Sequence, residues 1–402
     1  MKRLSLTNKV VVALVPVLVG AVSAVAQPAK AQPNAYDFYL RAGKALDYTG
    51  EGTDFPEFND AKLNAPFRLP LARREVVLRH NAKALSLMRQ GFQYSYRTPA
   101  PPKNYDPYDG FVTFPIFAHM RQLARLLHVE ADVYAAHGQY AKALNSGIDA
   151  VRLGTDLPRG GALIPLLVDV AIEDIGFNDL KKSYIERLDA RSAQMLALRL
   201  ETLDARRVSY VQTLQNEKAD GLSRLRYTFA YPKWRKEFPA AQTPAQITTT
   251  YKRLMDETII NAALPYPQRR GIVEKNVDEV NKSFVGLYLS DDAEKPSYAA
   301  RGIFLERSRA HSRLNATMLA LRAYKLDIGH YPATLSELAP KYLRRVPMDP
   351  FANNKPLRYK TKEIEYSLYS IGYDGVDDGG KALPKRAHPD AKGDIVAGIN
   401  TK

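Results

Sequence analysis

The sequence feature best suited to bind a ligand is a run of aspartates and glycines near the C-terminus. Residues 374–380 include Asp374, Asp377 and Asp378, and Asp394 follows further along the chain. Calcium prefers oxygen ligands, and glycines let the backbone turn its carbonyl groups toward an ion. The run is not an EF-hand, because the alternate-residue ligands and the closing glutamate are absent. The residues alone leave open a calcium loop or a solvated acidic turn whose aspartates cap local amides.

No other group of residues has the spacing of a known catalytic motif. His128 and Glu130 lie close together in sequence, but the seven histidines form no His-Glu-x-x-His zinc motif. The sequence also lacks a nucleophile elbow, a phosphate-binding glycine loop and a dinucleotide fingerprint. Glu173 and Asp174 are neighbours on a predicted buried helix, where adjacent side chains point about 100° apart and do not converge. We therefore predict that the protein is not an enzyme.

The N-terminus carries the features of an export signal. Residues 1–9 contain three basic residues and no acid, and residues 10–26 are apolar or small and end in Ala24-Val25-Ala26. This pattern predicts a secretory signal peptide over 1–26, followed by a linker over 27–34. An uncleaved membrane anchor is the alternative, although the apolar run is short for a spanning helix. In either case we expect a periplasmic or cell-envelope protein, which contacts the membrane only if its N-terminus is uncleaved.

Composition narrows the function further. The chain of 402 residues has no cysteine, which excludes disulfides, thiolate metal sites and a cysteine nucleophile. Its net charge is +15, but lysine and arginine are scattered among acids and form no basic aromatic stripe. Nucleic-acid binding is therefore not expected. The length and the hydrophobic fraction of 45% predict two compact domains.

Residues 35–300 predict an all-α domain of irregular helical hairpins. Apolar residues recur at helical spacing over 117–136, 140–153, 162–177, 192–207 and 248–263. The first two of these segments resemble a tetratricopeptide-type hairpin. The matching residues are Ala131, Tyr134, Gly138, Tyr140, Ala143, Ala150 and Pro158. Because a stable solenoid needs about three repeats and no clean second copy is present, an irregular array is predicted.

Residues 301–402 predict a second module, in which a long helix packs on a small antiparallel sheet. The helix is expected over 305–328, with one packed face and an arginine-rich face in solvent. Gly329 is placed to end it in a left-handed conformation, and Thr334 with Glu337 predicts a capped second helix. Residues 357–360 and 365–371 predict a hairpin. The fold class of the whole chain is therefore α+β.

The C-terminal module resembles the periplasmic module of the major pseudopilin of type II secretion. The residues that carry the resemblance are Tyr324-Lys325-Leu326-Asp327, Gly329, Tyr331-Pro332, Leu335, Leu338, Lys341-Tyr342-Leu343, Pro347, Asp349-Pro350, Tyr359, Tyr366, Leu368, Ser370-Ile371-Gly372, Asp374-Gly375, Gly379-Gly380 and Gly393-Asp394-Ile395. The whole layout is also similar to exported bacterial proteins that place a helical region before this module. A pseudopilin begins with a Gly-Phe processing site and an apolar assembly helix with an early glutamate. Since neither is found in residues 1–26, polymerisation into a filament is not expected.

The resemblance implies a calcium site in the acidic loop, by which we mean residues 374–394. It places Asp374 and Asp394 as carboxylate ligands and Leu368 and Ser370 as carbonyl donors, with Asp377 and Asp378 as further carboxylates. The loop between Gly380 and Asp394 is longer than in the family and contains four basic residues that could compete with a metal.

Two functions remain open. The first is an envelope scaffold, whose helical hairpins bind another envelope protein while the C-terminal module acts as a rigid cap. The alternative is a component of a type II secretion or pilus-like assembly. The missing assembly helix favours the first.

Overall fold

The computed structural model describes residues 32–47, 70–99, 114–230, 243–269, 298–362, 364–384 and 391–399. The predicted signal peptide and most of the predicted linker lie outside these residues. Residues Asn34–Lys402 form one compact unit. Within the described part of the chain, no helix is both long enough and apolar enough to cross a membrane.

Helices make up most of the described structure. In chain order they are α1 Ala35–Lys44, α2 Leu71–His80, α3 Ala82–Gly91, α4 Phe114–Ala136, α5 Tyr140–Asp156, α6 Leu163–Asp179, α7 Lys182–Ile185, α8 Ala190–Ala205, α9 Tyr210–Ala230, α10 Pro244–Ala262, α11 Tyr266–Arg269 and α12 Tyr298–Ile328. A short 3-10 helix, Leu335–Leu338, follows α12.

The strands form one small antiparallel sheet. They are β1 Arg358–Lys362, β2 Glu365–Ser370 and β3 Ile395–Val396, and β2 lies in the centre. In the predicted hairpin, Tyr359 pairs with Leu368. On the other edge of β2, Ser370 pairs with Ile395. The described structure is thus mostly helical, with a three-stranded antiparallel sheet near the C-terminus. This combination of helices and a small sheet agrees with the predicted α+β class.

The first helical hairpin is present, but its tetratricopeptide-like character is not confirmed. Gly138 joins α4 to α5 with a φ of 72°, which a glycine adopts without strain. Helix α6 then crosses α5 at two glycines: a Cβ on Gly176 would lie 2.5 Å from the carbonyl oxygen of Gly147. The close crossing of α5 and α6 therefore depends on small residues at this point.

Helix α12 differs from its prediction, because it has no solvent-exposed arginine face over most of its length. All residues of 314–321 are buried, and the arginines before and after them reach partners on other elements. Arg307 pairs with Asp174 of α6, Nε of Arg313 donates to Asp204 of α8 at 2.9 Å, and Nε of Arg322 donates to the Leu188 carbonyl at 3.1 Å. The arginine face is therefore an interface with the helical region.

One apolar core extends from the helical region into the C-terminal module. A single cluster of buried side chains includes Ile148 of α5, Leu200 of α8, Leu319 of α12 and Leu368 of β2. A second cluster joins α1, α3 and α4, and a third joins α9 and α10. The domain boundary at residue 300 stays a prediction, and residues on either side of it share the first core.

Candidate functional site

The acidic loop folds back on Asp394, the most deeply buried of the predicted carboxylate ligands of calcium. Its carboxylate accepts hydrogen bonds from the backbone amides of Gly380 at 2.6 Å and Asp378 at 3.4 Å. Gly380 has a φ of 88°. Burial raises the pKa of Asp394, the two amides lower it, and the nearby charges of Asp377 and Asp378 raise it further. The carboxylates of the loop therefore crowd together.

Two further carboxylates of the loop, those of Asp377 and Asp374, accept hydrogen bonds from other groups of the protein. Asp377 accepts hydrogen bonds from Nε of Arg358 at 2.8 Å and from the Tyr369 hydroxyl at 3.0 Å. The bond from Arg358 holds the pKa of Asp377 below its usual value. Asp374 is nearly buried, and its Oδ1 accepts a bond from the Val376 amide at 3.1 Å.

Leu368 and Ser370, whose backbone carbonyls are predicted to bind calcium, belong to β2. The Leu368 carbonyl accepts a bond from the Ala397 amide at 3.0 Å, and the Ser370 hydroxyl donates to Oδ1 of Asp349 at 2.7 Å. The oxygen donors around the loop match a hard cation in chemical type. Several of them already have partners in the chain, so calcium would have to share them. The calcium site stays a prediction.

Asp349 is a buried polar centre of the module that sequence reasoning did not single out. Besides the Ser370 hydroxyl, its carboxylate accepts bonds from the amides of Phe351 and Ile371, both at 2.9 Å. Burial raises the pKa of Asp349, and these three bonds oppose the shift. The Asp349-Pro350 pair in the sequence was the available signal, but it gave no role to the carboxylate.

A second polar centre lies where α5, α6 and α12 meet. Glu173 of α6 is fully buried and accepts hydrogen bonds from the Thr155 hydroxyl at 2.9 Å, Nη1 of Arg207 at 2.6 Å and the Ser308 hydroxyl. Glu173 and Asp174 do not converge, as predicted. Asp169, one turn before Glu173, converges with it instead, because residues four apart share a helix face.

The environment of Asp169 favours its protonated form. Burial raises the pKa of Asp169 well above its usual range, and the charge of Glu173 adds to the shift. The positive charge of Arg207, which is ion-paired with Glu173, opposes the shift. Gly154 makes room for the pair, since a Cβ there would lie 2.8 Å from Oδ1 of Asp169. A buried acid pair of this kind fixes helices, and its proton is inaccessible to a substrate in solvent.

His311 of α12 completes this centre as a neutral side chain. Burial, together with the charges of Arg307 and Arg207, lowers the pKa of His311 to about 3. The ring packs edge-on against Phe177, with centroids 5.7 Å apart. His311 is therefore uncharged at physiological pH and serves as a packing group.

Replacing Asp169 with asparagine tests the raised pKa of this residue. The raised pKa of Asp169 means that the folded protein binds a proton that the unfolded chain has released. This residue's contribution to stability therefore falls as pH rises from about 4 through the raised pKa. In Asp169→Asn, the side-chain amide can still donate a hydrogen bond to Glu173, but it does not ionise as the pH rises. We expect its free energy of unfolding to equal or exceed that of the wild type at pH 7, with a flatter dependence on pH.

Urea denaturation across this pH range measures the difference between Asp169→Asn and the wild type, so titrations common to both cancel. Asp220→Asn on α9 is the control, because that side chain is half exposed. An Asp169→Asn variant with the wild-type slope and a large loss of stability at pH 7 would contradict the raised pKa of Asp169.

Comparison with known families gives a match to the C-terminal region. A family model described as type II secretion system protein G matches residues 305–384. These residues include most of α12, β1, β2 and the first part of the acidic loop, whereas Asp394 lies beyond them. Comparisons with curated proteins and with solved structures give no match. The resemblance of the C-terminal region is confirmed, and it suggests a link to secretion or pilus-like assembly and a place in the cell envelope.

Proposed function

We propose that the protein is a non-enzymatic accessory protein of a type II secretion or pilus-like assembly. It acts as an interaction scaffold in the cell envelope and does not polymerise. The observation that carries this proposal is the burial of 314–321 on α12, the helix that opens the family-matched region. A filament subunit must leave a face of this module helix free for neighbouring subunits. This helix is enclosed by the protein's own α6, α8 and C-terminal sheet.

Polar contacts support a fixed attachment of the module. Arg313 bridges Asp204 of α8 and the Met348 carbonyl, which its Nη1 reaches at 2.8 Å. On the outer side, the amide of Arg344 donates to Glu201 of α8 at 3.0 Å. Helix α8 and the C-terminal module therefore present one continuous surface, and a partner can contact both of them at once.

The second candidate function, a filament subunit, is favoured by the family match itself. The two proposals differ in which surface meets a partner. For a subunit, contacts with filament proteins concentrate on the module. For a scaffold, the helical region contacts envelope proteins as well.

Site-specific photocrosslinking in the native cells separates these functions. A photoreactive amino acid replaces Leu326 or Ile399 in the module, or Met195 or Ile260 in the helical region; all four side chains are well exposed. Mass spectrometry then identifies the crosslinked partners. The buried Leu319 is the control position, because a probe there has no access to a partner.

We expect crosslinks from Met195 or Ile260 to envelope proteins, including components of the secretion apparatus. Crosslinks found only at Leu326 and Ile399, and only to filament subunits, would make the protein a subunit. Crosslinks that include no secretion component would overturn the proposed link.

We also propose that the acidic loop binds calcium as a structural ion. Crowded carboxylates around Asp394 support this, because a divalent cation would relieve their repulsion. We expect calcium in excess of its dissociation constant to raise the Tm of the full chain by about 3–6 °C over a chelator. The shift should disappear in Asp374→Asn and persist in Asp327→Asn, a change outside the loop. Equal melting in calcium, magnesium and chelator would exclude the site.

A further inference from the structure

We infer that His128, Asp132 and Asp179 form a binding site for a divalent transition-metal cation, with zinc as the best-suited ion. Each residue offers one ligand atom, and the three atoms lie within 4.8 Å of one another. His128 and Asp132 are one turn apart on α4, so they share a helix face. Asp179 is the last residue of α6. The site lies apart from the acidic loop and from the Glu173 centre.

His128 lies between the two carboxylates and reaches them through different ring nitrogens. Nε2 of His128 lies 3.8 Å from Oδ2 of Asp132, and Nδ1 lies 2.6 Å from Oδ1 of Asp179 in a hydrogen bond. Two ligands of a tetrahedral zinc ion are about 3.3 Å apart, given zinc–ligand bonds of about 2.0–2.1 Å. To bind zinc, the His128 ring must give up the hydrogen bond to Asp179 and turn one nitrogen toward an ion that both carboxylates reach. Imidazole with two carboxylates suits zinc better than calcium or magnesium, which prefer oxygen donors alone.

Asp179 supplies the independent observation that points to a ligand. Its side chain is only 1% exposed, and among the described residues its Oδ2 has no hydrogen-bond partner. A buried carboxylate oxygen without a donor costs free energy unless a cation satisfies it. The residue also lies at the C-terminal end of α6, where the carbonyl groups of the last turn favour a positive charge.

Packing holds Asp179 in this position. A Cβ on Gly147 of α5 would lie 2.9 Å from Cβ of Asp179 and 2.9 Å from the Gly176 carbonyl oxygen. Glycine at 147 therefore lets the end of α6 approach α5 and reach the side chains of α4. The ligands stand on two rigid helices, which keeps the site preorganised.

Two cations already lie beside Asp132 and compete with a metal. Nη1 of Arg74 lies 3.3 Å from Oδ2 of Asp132, and Nζ of Lys181 lies 3.9 Å from Oδ1. Both side chains are partly exposed and can turn away toward solvent. Removing either cation should therefore strengthen metal binding.

Equilibrium dialysis of the full chain against zinc, in excess magnesium, tests the site. Metal content is measured by mass spectrometry, and affinity by competition with a chromophoric chelator. The test variants are Asp132→Asn, His128→Gln and Lys181→Gln. His137→Gln is the matched control: this residue follows α4 directly and pairs with Glu75 at 2.7 Å, but it has no second carboxylate in the described structure at ion-pair distance.

We expect one zinc ion per chain in the wild type and in His137→Gln. Asp132→Asn and His128→Gln should weaken binding by about tenfold or more. Lys181→Gln should tighten it by about twofold to fivefold. No zinc retained against magnesium, or equal affinity in Asp132→Asn and the wild type, would overturn the site. Circular dichroism verifies that each variant is folded. If His128→Gln unfolds, the zinc affinity of Asp132→Asn decides the result, because Asp132 is partly exposed and its replacement disturbs the fold less.

Discussion

Replacing Arg207 with methionine is expected to lower the free energy of unfolding by about 3–5 kcal/mol, because it strands buried carboxylates. The guanidinium is 2% exposed and lies 2.6 Å from Glu173 and 3.0 Å from Asp204. Burial opposes ionisation of Asp204, but Arg313 and Arg207 hold its pKa below the usual value. Without Arg207, Glu173 keeps only uncharged donors in a buried site. Urea denaturation followed by circular dichroism measures the loss.

Arg253→Met is the control for charge removal alone. Arg253 pairs with Glu257 at 3.0 Å on the surface of α10, where both side chains are exposed, so we expect a change below about 0.5 kcal/mol. Adding Glu173→Gln to Arg207→Met should restore about 1–2 kcal/mol, since it removes the stranded charge. Equal losses in Arg207→Met and Arg253→Met would show that the buried ion pair does not stabilise the fold.

Several helices of this protein could be predicted because their apolar residues recur at helical spacing. The predicted segments 162–177 and 192–207 agree with α6, Leu163–Asp179, and α8, Ala190–Ala205, within about two residues at each end. The hairpin and the Gly329 cap, with its φ of 94°, also follow from local residue types. These features depend on neighbours in the sequence, which is what a pattern can record.

The environment of α12 could not be predicted, because its partners are far away in sequence. Arg313 and Asp204 are 109 residues apart, and Arg307 and Asp174 are 133 residues apart. An arginine face is usually solvated, and nothing local distinguishes a face that meets acids on other helices.

The Asp169–Glu173 pair did have a local signal, since two acids four residues apart inside an apolar helix must face the same way. Glu173 and its neighbour Asp174, in contrast, point about 100° apart around the helix. The pair of acids that shares a face could therefore have been predicted from the spacing alone.

Replacing Asp349 with alanine is expected to lower the free energy of unfolding by about 3–5 kcal/mol, because it strands three buried donors. The amides of Phe351 and Ile371 and the hydroxyl of Ser370 all donate to this carboxylate. It thus joins the loop after Pro350 to the end of β2. Urea denaturation measures the loss, with Glu365→Ala in β2 as an exposed control expected to change it by less than about 0.5 kcal/mol.

Two further variants separate a structural carboxylate from a cation ligand. Ser370→Ala removes one donor and should cost about 1 kcal/mol. Asp349→Asn should cost more than Ser370→Ala, because its amide group would face another donor at one of the three bonds. These losses should be the same in calcium and in chelator, since the partners of Asp349 are all protein groups. If Asp349→Ala and Glu365→Ala are equally stable, the carboxylate does not organise the module. A loss that appears only with calcium would instead place Asp349 at the ion.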